Sequence, residues 1–240
     1  MGHILFPKHN INRGGSCDDK RSSKIHMRII EPSVEIITID DYNTIIKKIE
    51  RIGRVCYKSE EDITAVSAER FISGLLRREH ESVIEHESVS VRVVCDRGVT
   101  HEIVRHRLAS YSQESTRYCN YSNDKFDNRI TVIDLSGGFE YDMNNPNDAA
   151  KYEVWKEAMD SAEKAYFKLL KLGAVPQEAR SVLPNSLKTE IVITMNLREW
   201  RHFCRLRCST EAHPQMRQVA LMIYNMFTSK LPVFFQDIQC

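Results

Sequence analysis

Beyond the first 26 residues, the spacing of apolar positions switches between a period of two and a period near 3.6, and each switch marks an element. Residues 33–39, Ser-Val-Glu-Ile-Ile-Thr-Ile, are rich in β-branched side chains and predict a strand, and the amphipathic stretch over about 43–53 predicts a helix. A second helix is expected over about 65–79. Residues 87–95 alternate, with Val89, Val91 and Val93 on one face, as in a half-buried strand whose polar face points away from the core. A short helix from about Gly98 leads into Arg105, after which apolar periodicity is lost past Ala109 and the chain reads as a functional loop.

Residues 130–134 read as a further strand, and Gly137-Gly138 with Asn144-Asn145-Pro146 as the connection after it. Trp155, Met159, Ala162, Tyr166 and Leu169 recur every three or four residues, the core stripe of a long helix that stops at Gly173. Pro176 opens a short helix carrying Arg180, which Pro184 ends. Residues 189–195 alternate as a strand, and helices follow over about 197–206 and 214–229. Strands and helices do not alternate strictly and no Gly-x-Gly-x-x-Gly occurs. The expected class is therefore α+β: a single domain with a mixed or antiparallel sheet flanked by helices, not a Rossmann unit.

A chain of 240 residues, 42% hydrophobic and 28% charged, is long enough for one large domain with a substantial core. Its 34 basic and 33 acidic residues nearly cancel, which disfavours a general nucleic-acid binder. Seven cysteines, an odd number without a Cys-x-x-Cys pair, give no disulfide framework, so reduced thiols and a cytoplasmic location are expected. No apolar run approaches the roughly 20 residues that span a bilayer, and no membrane association is expected. Residues 1–26 are polar and aperiodic and read as a disordered segment, either a natural extension or a leader added ahead of a natural start at Met27. The chemistry is expected in 27–240.

The segment 105–118 carries most of that chemistry. Arg105, His106, Arg107 and Arg117 stand among three Ser hydroxyls, Tyr111, Tyr118 and Glu114. Arg offers a planar fork of donors that matches phosphate oxygens, Ser and backbone N–H groups complete such a shell, and Tyr rings stack on a base or a flavin. The residues alone point to a nucleotide-phosphate site, with a solvated basic loop as the bland alternative.

Arg105-His106-Arg107, seven residues, then Ser115, continuing into Arg117-Tyr118, resembles the signature of the flavin-dependent thymidylate synthases, and the resemblance extends from about Met27 to about Leu231. It implies an enzyme that makes dTMP from dUMP with methylenetetrahydrofolate as one-carbon donor, FAD as hydride carrier and NADPH as reductant, assembled as a homotetramer without nucleic-acid or membrane partners. His80-Glu81-Ser82 resembles a segment that puts Ser82 on the flavin and His80 near its ring system. Residues 178–184 resemble one whose Arg, here Arg180, binds the nucleotide phosphate. Residues 195–207 resemble one that gives Asn196, Arg198 and His202 to the flavin and Arg207 to the uracil ring as the catalytic cation. By the same resemblance Arg105, His106, Arg107 and Gln113 meet the cofactor, and Glu102, Arg105, Gln113, Glu114, Ser115 and Arg117 meet the substrate. Spacing alone leaves Arg198, Arg201, Arg205 and Arg207 as a solvated basic face.

Three departures bear on hydrogen bonding around the nucleotide: Ser112-Gln113 where the family has Asn-Glu, Glu102 where Gln is common, and 213–216 where Gln-Trp-Glu-Ile is common. Two other classes stay open. An RNA-binding module would stack bases on Tyr111, Tyr118 and Tyr121. A thiol enzyme would use Cys119 as nucleophile. No metal is expected: His80 and His86 lie about 240° apart around a helix of roughly 3.6 residues per turn, and His101 and His106 fit a single helix face no better.

Overall fold

The alternation of Val89, Val91 and Val93 continues to Cys95, and all four side chains are buried on one face of β3 (Ser88–Asp96). Ile191, Ile193 and Met195 are buried in the same way on β6 (Lys188–Asn196), which pairs antiparallel with β3 and sets Val91 against Ile193. β2 (Ser33–Thr38) joins β3, and β4 (Ala109–Gln113) joins β6, so the sheet is antiparallel throughout with the order β2-β3-β6-β4. Its outward face carries mostly polar residues, several matched across strands. Arg92 bridges Glu35 at 3.3 Å and Glu190 at 2.6 Å, and Ser90 and Thr194 share a 2.8 Å hydrogen bond. The computed structural model describes residues 27–240, so the expectation for 1–26 lies outside the described residues.

Helices cover the apolar face: α1 (Tyr42–Val55), α2 (Ser67–Arg77), α7 (Leu197–Arg207) and α8 (Pro214–Lys230). Asp41 opens α1 by accepting from Thr44 N. At Gly53 the two first helices touch so closely that a Cβ would lie 2.6 Å from the Phe71 ring. Trp200 of α7 packs edge-on against Phe203 and Phe227, and its Nε1 donates to Val89 O at 3.0 Å. The largest buried side chain thus leaves no polar atom unpaired.

A second, smaller apolar cluster comprises Tyr121, Ile130, Val132, Met159, Tyr166, Ala179 and Leu187. It packs around β5 (Thr131–Ile133), which runs parallel to β1 (Arg28–Ile30). The long helix α5 (Pro146–Lys171) supplies Met159 and Tyr166. Asn145 caps it, Pro146 begins it, and Gly173, at φ +93°, turns the chain away beyond its end. α6 (Pro176–Ala179) and the 3-10 turn Arg180–Val182 then lead to β6. Among the described residues, no helix is long and apolar enough to cross a membrane.

The expected α+β class with helices flanking an antiparallel sheet is the one observed. One expectation fails: 109–113 is not loop but the edge strand β4. Ala109, Tyr111 and Gln113 turn inward and Ser110 and Ser112 outward, a period of two hidden because both outward positions carry small hydroxyls rather than charges. Gly137 and Gly138 sit in a helical turn, α4 (Ser136–Phe139), packed against α8, where a Cβ on Gly138 would collide with Gln215. The short β1 and the last helix, α9 (Pro232–Phe235), carry too few residues for periodicity to show them.

Candidate functional site

The turn after α3 (Arg97–Ile103) brings His106 back under the sheet. His106 N donates to Ile103 O, and the single proton of the Tyr111 hydroxyl of β4 is shared between His106 O (2.5 Å) and Ile103 O (2.9 Å), so the edge strand pins the turn. The imidazole is buried, 4.9 Å from the Phe203 ring and 5.6 Å from that of His202. From the other side α7 contributes its two ends. Asn196 caps the helix by accepting from Glu199 N at 2.9 Å, which places the Glu199 carboxylate against His106 Nδ1 at 3.1 Å. Arg207, the last residue of α7, sends Nε to His106 Nε2 (3.2 Å), Nη1 to Glu102 Oε2 (2.8 Å) and Nη2 to Glu102 O (3.1 Å).

This chain of contacts fixes protonation. An arginine Nε only donates, so His106 Nε2 must accept, the proton sits on Nδ1, and Nδ1–H donates to Glu199. Burial depresses the His106 pKa; Glu199 pulls it up, Arg207 pushes it down, and the net direction is down, consistent with a neutral ring. Three of the five guanidinium N–H groups of Arg207 are engaged, which leaves one on each Nη for a ligand. His106, Glu199 and His202 also offer three donor atoms within 4.8 Å of one another. Both His106 nitrogens already have partners, one of them a cation, so a metal ion there would have to displace Arg207.

A second group forms where β4 ends. The turn 115–118 is tied by Tyr118 N and Cys119 N to Ser115 O, and Arg117 N donates to Ser115 Oγ at 3.3 Å. Arg180 reaches the buried Thr116 hydroxyl at 3.3 Å, which joins the turn to the 3-10 turn Arg180–Val182. The Arg117 guanidinium lies over the Tyr118 ring, 5.4 Å from its centre. Gln113 and Glu114 turn inward instead: Gln113 Nε2 donates to Thr100 and Thr189 hydroxyls, and Glu114 takes Lys188 at 3.0 Å and the Tyr121 hydroxyl at 3.3 Å.

The third group surrounds the 3-10 turn Glu81–His86. Ser82 is exposed, His80 Nδ1 meets the Tyr57 hydroxyl at 2.9 Å, and Arg198 pairs with Glu85 at 2.5 Å. Beneath them Arg201 is fully buried. It donates to Glu81 (3.1 Å), to Phe234 O, and through two bonds of 2.7 and 2.6 Å to Asp237, while Arg205 adds a 2.9 Å bond to Glu81. The expectation of a solvated basic face on α7 is therefore wrong for Arg201 and Arg207: one is a buried clamp and the other a half-buried site residue. Arg105 and Arg107 are exposed beside the first group. Among the described residues no side-chain hydrogen bond joins one group to another.

Both rival readings lose their footing in this geometry. Tyr111 and Tyr121 have their hydroxyls bound within the protein and Tyr121 is buried, so only Tyr118 offers a stacking surface. Burial and the Glu114 carboxylate push the Cys119 thiol up, the opposite of activation. Glu102, read as a departure, has a structural partner in Arg207. Glu199 was not anticipated; its one signal in the sequence is an acid on the helix face shared with Trp200 and Phe203.

The family model described as thymidylate synthase complementing protein matches residues 39–233, a span that includes the first two groups and, but for Phe234 and Asp237, the third. A flavin-dependent thymidylate synthase of Geobacter sulfurreducens is 32% identical over 192 residues, covering 77% of this chain and 78% of that one. Its counterpart from Mycobacterium bovis is 35% identical over 210 residues, 80% and 78% of the two chains. For that of Pyrococcus abyssi the figures are 34% over 164 residues, 68% and 64%. This chain belongs to the flavin-dependent thymidylate synthase family.

Proposed function

We propose that the protein converts dUMP to dTMP, with methylenetetrahydrofolate as one-carbon donor, FAD as hydride carrier and NADPH as reductant. The observation that carries this reading is Arg207, oriented by three hydrogen bonds with two donors left over. Uracil C5 is a poor nucleophile until N3 loses its proton, and a fixed cation at that edge lowers the cost of the anion. Arginine stays protonated, with a pKa above ~12, so Arg207 stabilises charge and abstracts no proton.

The residues present fit a flavin dinucleotide. Exposed Arg105 and Arg107 carry planar donor forks suited to a diphosphate, and Ser82, Asn196, Arg198 and His202, with His80 nearby, present exposed or half-exposed polar atoms for a ring and its ribityl chain. When bound, FAD supplies the hydride that completes the methyl group. Ser115, Arg117 and Arg180 hold the nucleotide phosphate, Gln113 and Glu114 brace the strand end behind them, and Glu102 and His106 keep Arg207 aimed. The reading includes a cytoplasmic homotetramer whose sites draw on several subunits; Leu108, 73% exposed, and Tyr118, 75% exposed, are apolar surface beside the signature that such an assembly would cover.

Purified protein is expected to be yellow, to bleach on addition of NADPH, and to form dTMP from dUMP and methylenetetrahydrofolate. A colourless preparation that takes up no added FAD would overturn the reading. Ser115 Oγ has no acid–base partner among the described residues beyond the Arg117 amide. Ser115→Ala should therefore slow dTMP formation without abolishing it, whereas total loss together with a trapped adduct on Ser115 in the parent would make it a nucleophile.

A further inference from the structure

We infer that Glu199 is a positioning residue, which orients Arg207 by fixing the tautomer and the plane of the His106 ring. The inference rests on the reading of Arg207 as the charge stabiliser. Were His106 protonated on Nε2, two N–H groups would face each other across the 3.2 Å gap to Arg207 Nε. The ring must accept there, so Nδ1 carries the proton and needs an acceptor of its own. The ring is buried against Phe203, and Glu199 Oε1, at 3.1 Å, is the protein acceptor that Nδ1 meets.

Glu199 is in turn placed rather than free. It lies in the first turn of α7, its amide held by the Asn196 cap, and its side chain is about nine-tenths buried. Removing the carboxylate strands a buried donor. The ring then escapes the cost by moving its proton to Nε2 or by rotating, and either change takes away the Nε anchor of Arg207. Glu102 still holds the two Nη groups, so the guanidinium stays nearby but is free to pivot about that edge. A positioned charge loses more by pivoting than by weakening, because its stabilisation depends on where the developing anion sits.

Glutamine separates hydrogen bonding from charge, since its carbonyl still accepts from Nδ1–H. In FAD-loaded protein labelled with 15N at histidine, wild type and Glu199→Gln should show His106 protonated on Nδ1 alone, and Glu199→Gln should keep most dTMP formation. Glu199→Ala should lose that nitrogen pattern and form dTMP about tenfold to a hundredfold more slowly, the range such a hydrogen bond is worth, at unchanged flavin content. In an Arg207→Ala background the same change should cost nothing further. The inference is overturned by a wild-type His106 protonated on Nε2 or on both nitrogens, by a Glu199→Ala loss that persists in the Arg207→Ala background, or by stoichiometric Zn²⁺ uptake that Glu199→Ala abolishes. Loss in Arg207→Ala with none in Glu199→Ala removes this inference alone. Normal dTMP formation in Arg207→Ala removes the charge-stabiliser reading and the inference with it.

Discussion

Arg207→Ala should keep its flavin and the NADPH-driven reduction of that flavin while losing most dTMP formation. Removing a preorganised charge stabiliser costs on the order of 3 kcal/mol, or roughly a hundredfold in rate. Arg207→Lys should recover little, for a reason visible in the contacts: the wild-type side chain divides its donors between His106, the Glu102 carboxylate and the Glu102 carbonyl. An ammonium has three donors on one atom and no planar fork, so it cannot satisfy these partners and still present two further N–H groups to a ligand. Both half-reactions measured on one preparation decide the matter. Equal losses in each point to misfolding or flavin loss, and near-normal dTMP formation takes Arg207 out of the mechanism.

Arg201→Ala is expected to be the most destabilising of the single arginine changes, by about 3 kcal/mol or more, because it leaves the buried Glu81 carboxylate and Phe234 O short of donors. Urea unfolding monitors it directly, and Arg201→Ala combined with Glu81→Gln should recover part of the loss by removing the uncompensated charge. The same clamp sets an acid limit. Burial pushes both Glu81 and Asp237 up, but Arg205 and Arg201 outweigh it for Glu81 and Arg201 does so for Asp237, and both carboxyls end below their usual values. Folded values that are depressed stabilise the fold fully above the ordinary carboxylate range near about 4, and the contribution disappears as pH falls through the lowered values. A wild-type midpoint that does not fall in that window, or an Arg201→Ala variant as stable as wild type, would contradict the assignment.

Elements of helical or strand length were legible because burial imposes its period on the sequence: the inward Val and Ile of β3 and β6 and the stripe of α5 could be read without a structure. β4 was missed because its inward residues, Ala109, Tyr111 and Gln113, span three chemistries, and an edge strand needs only one bonded neighbour to hold its register. The signature at Arg105 to Ser115 located the cationic site, yet not its wiring. Periodicity reports whether a side chain faces inward, not which partner a polar group finds there. Arg201 and Arg207 lie six residues apart on one helix and look alike in sequence, but one meets two carboxylates and a carbonyl in the interior and the other meets a histidine and a glutamate at its margin.

Two separate apolar clusters underlie the first and second groups of site residues. His106, which Arg207 and Glu199 both bond, rests on the larger one through Phe203, whereas Arg180 follows Ala179, which is buried in the smaller one. The turn 115–118 spans from β4 toward Cys119 and Tyr121 of the smaller cluster. A dUMP molecule held by its ring at one end and its phosphate at the other would therefore act as a strut between two cooperative units. Local opening of the smaller unit would release the phosphate before the ring, and each bound nucleotide would suppress that opening by mass action. Substrate affinity and the slow exchange of amide hydrogens in β1, β5 and α5 thus become two measures of one equilibrium.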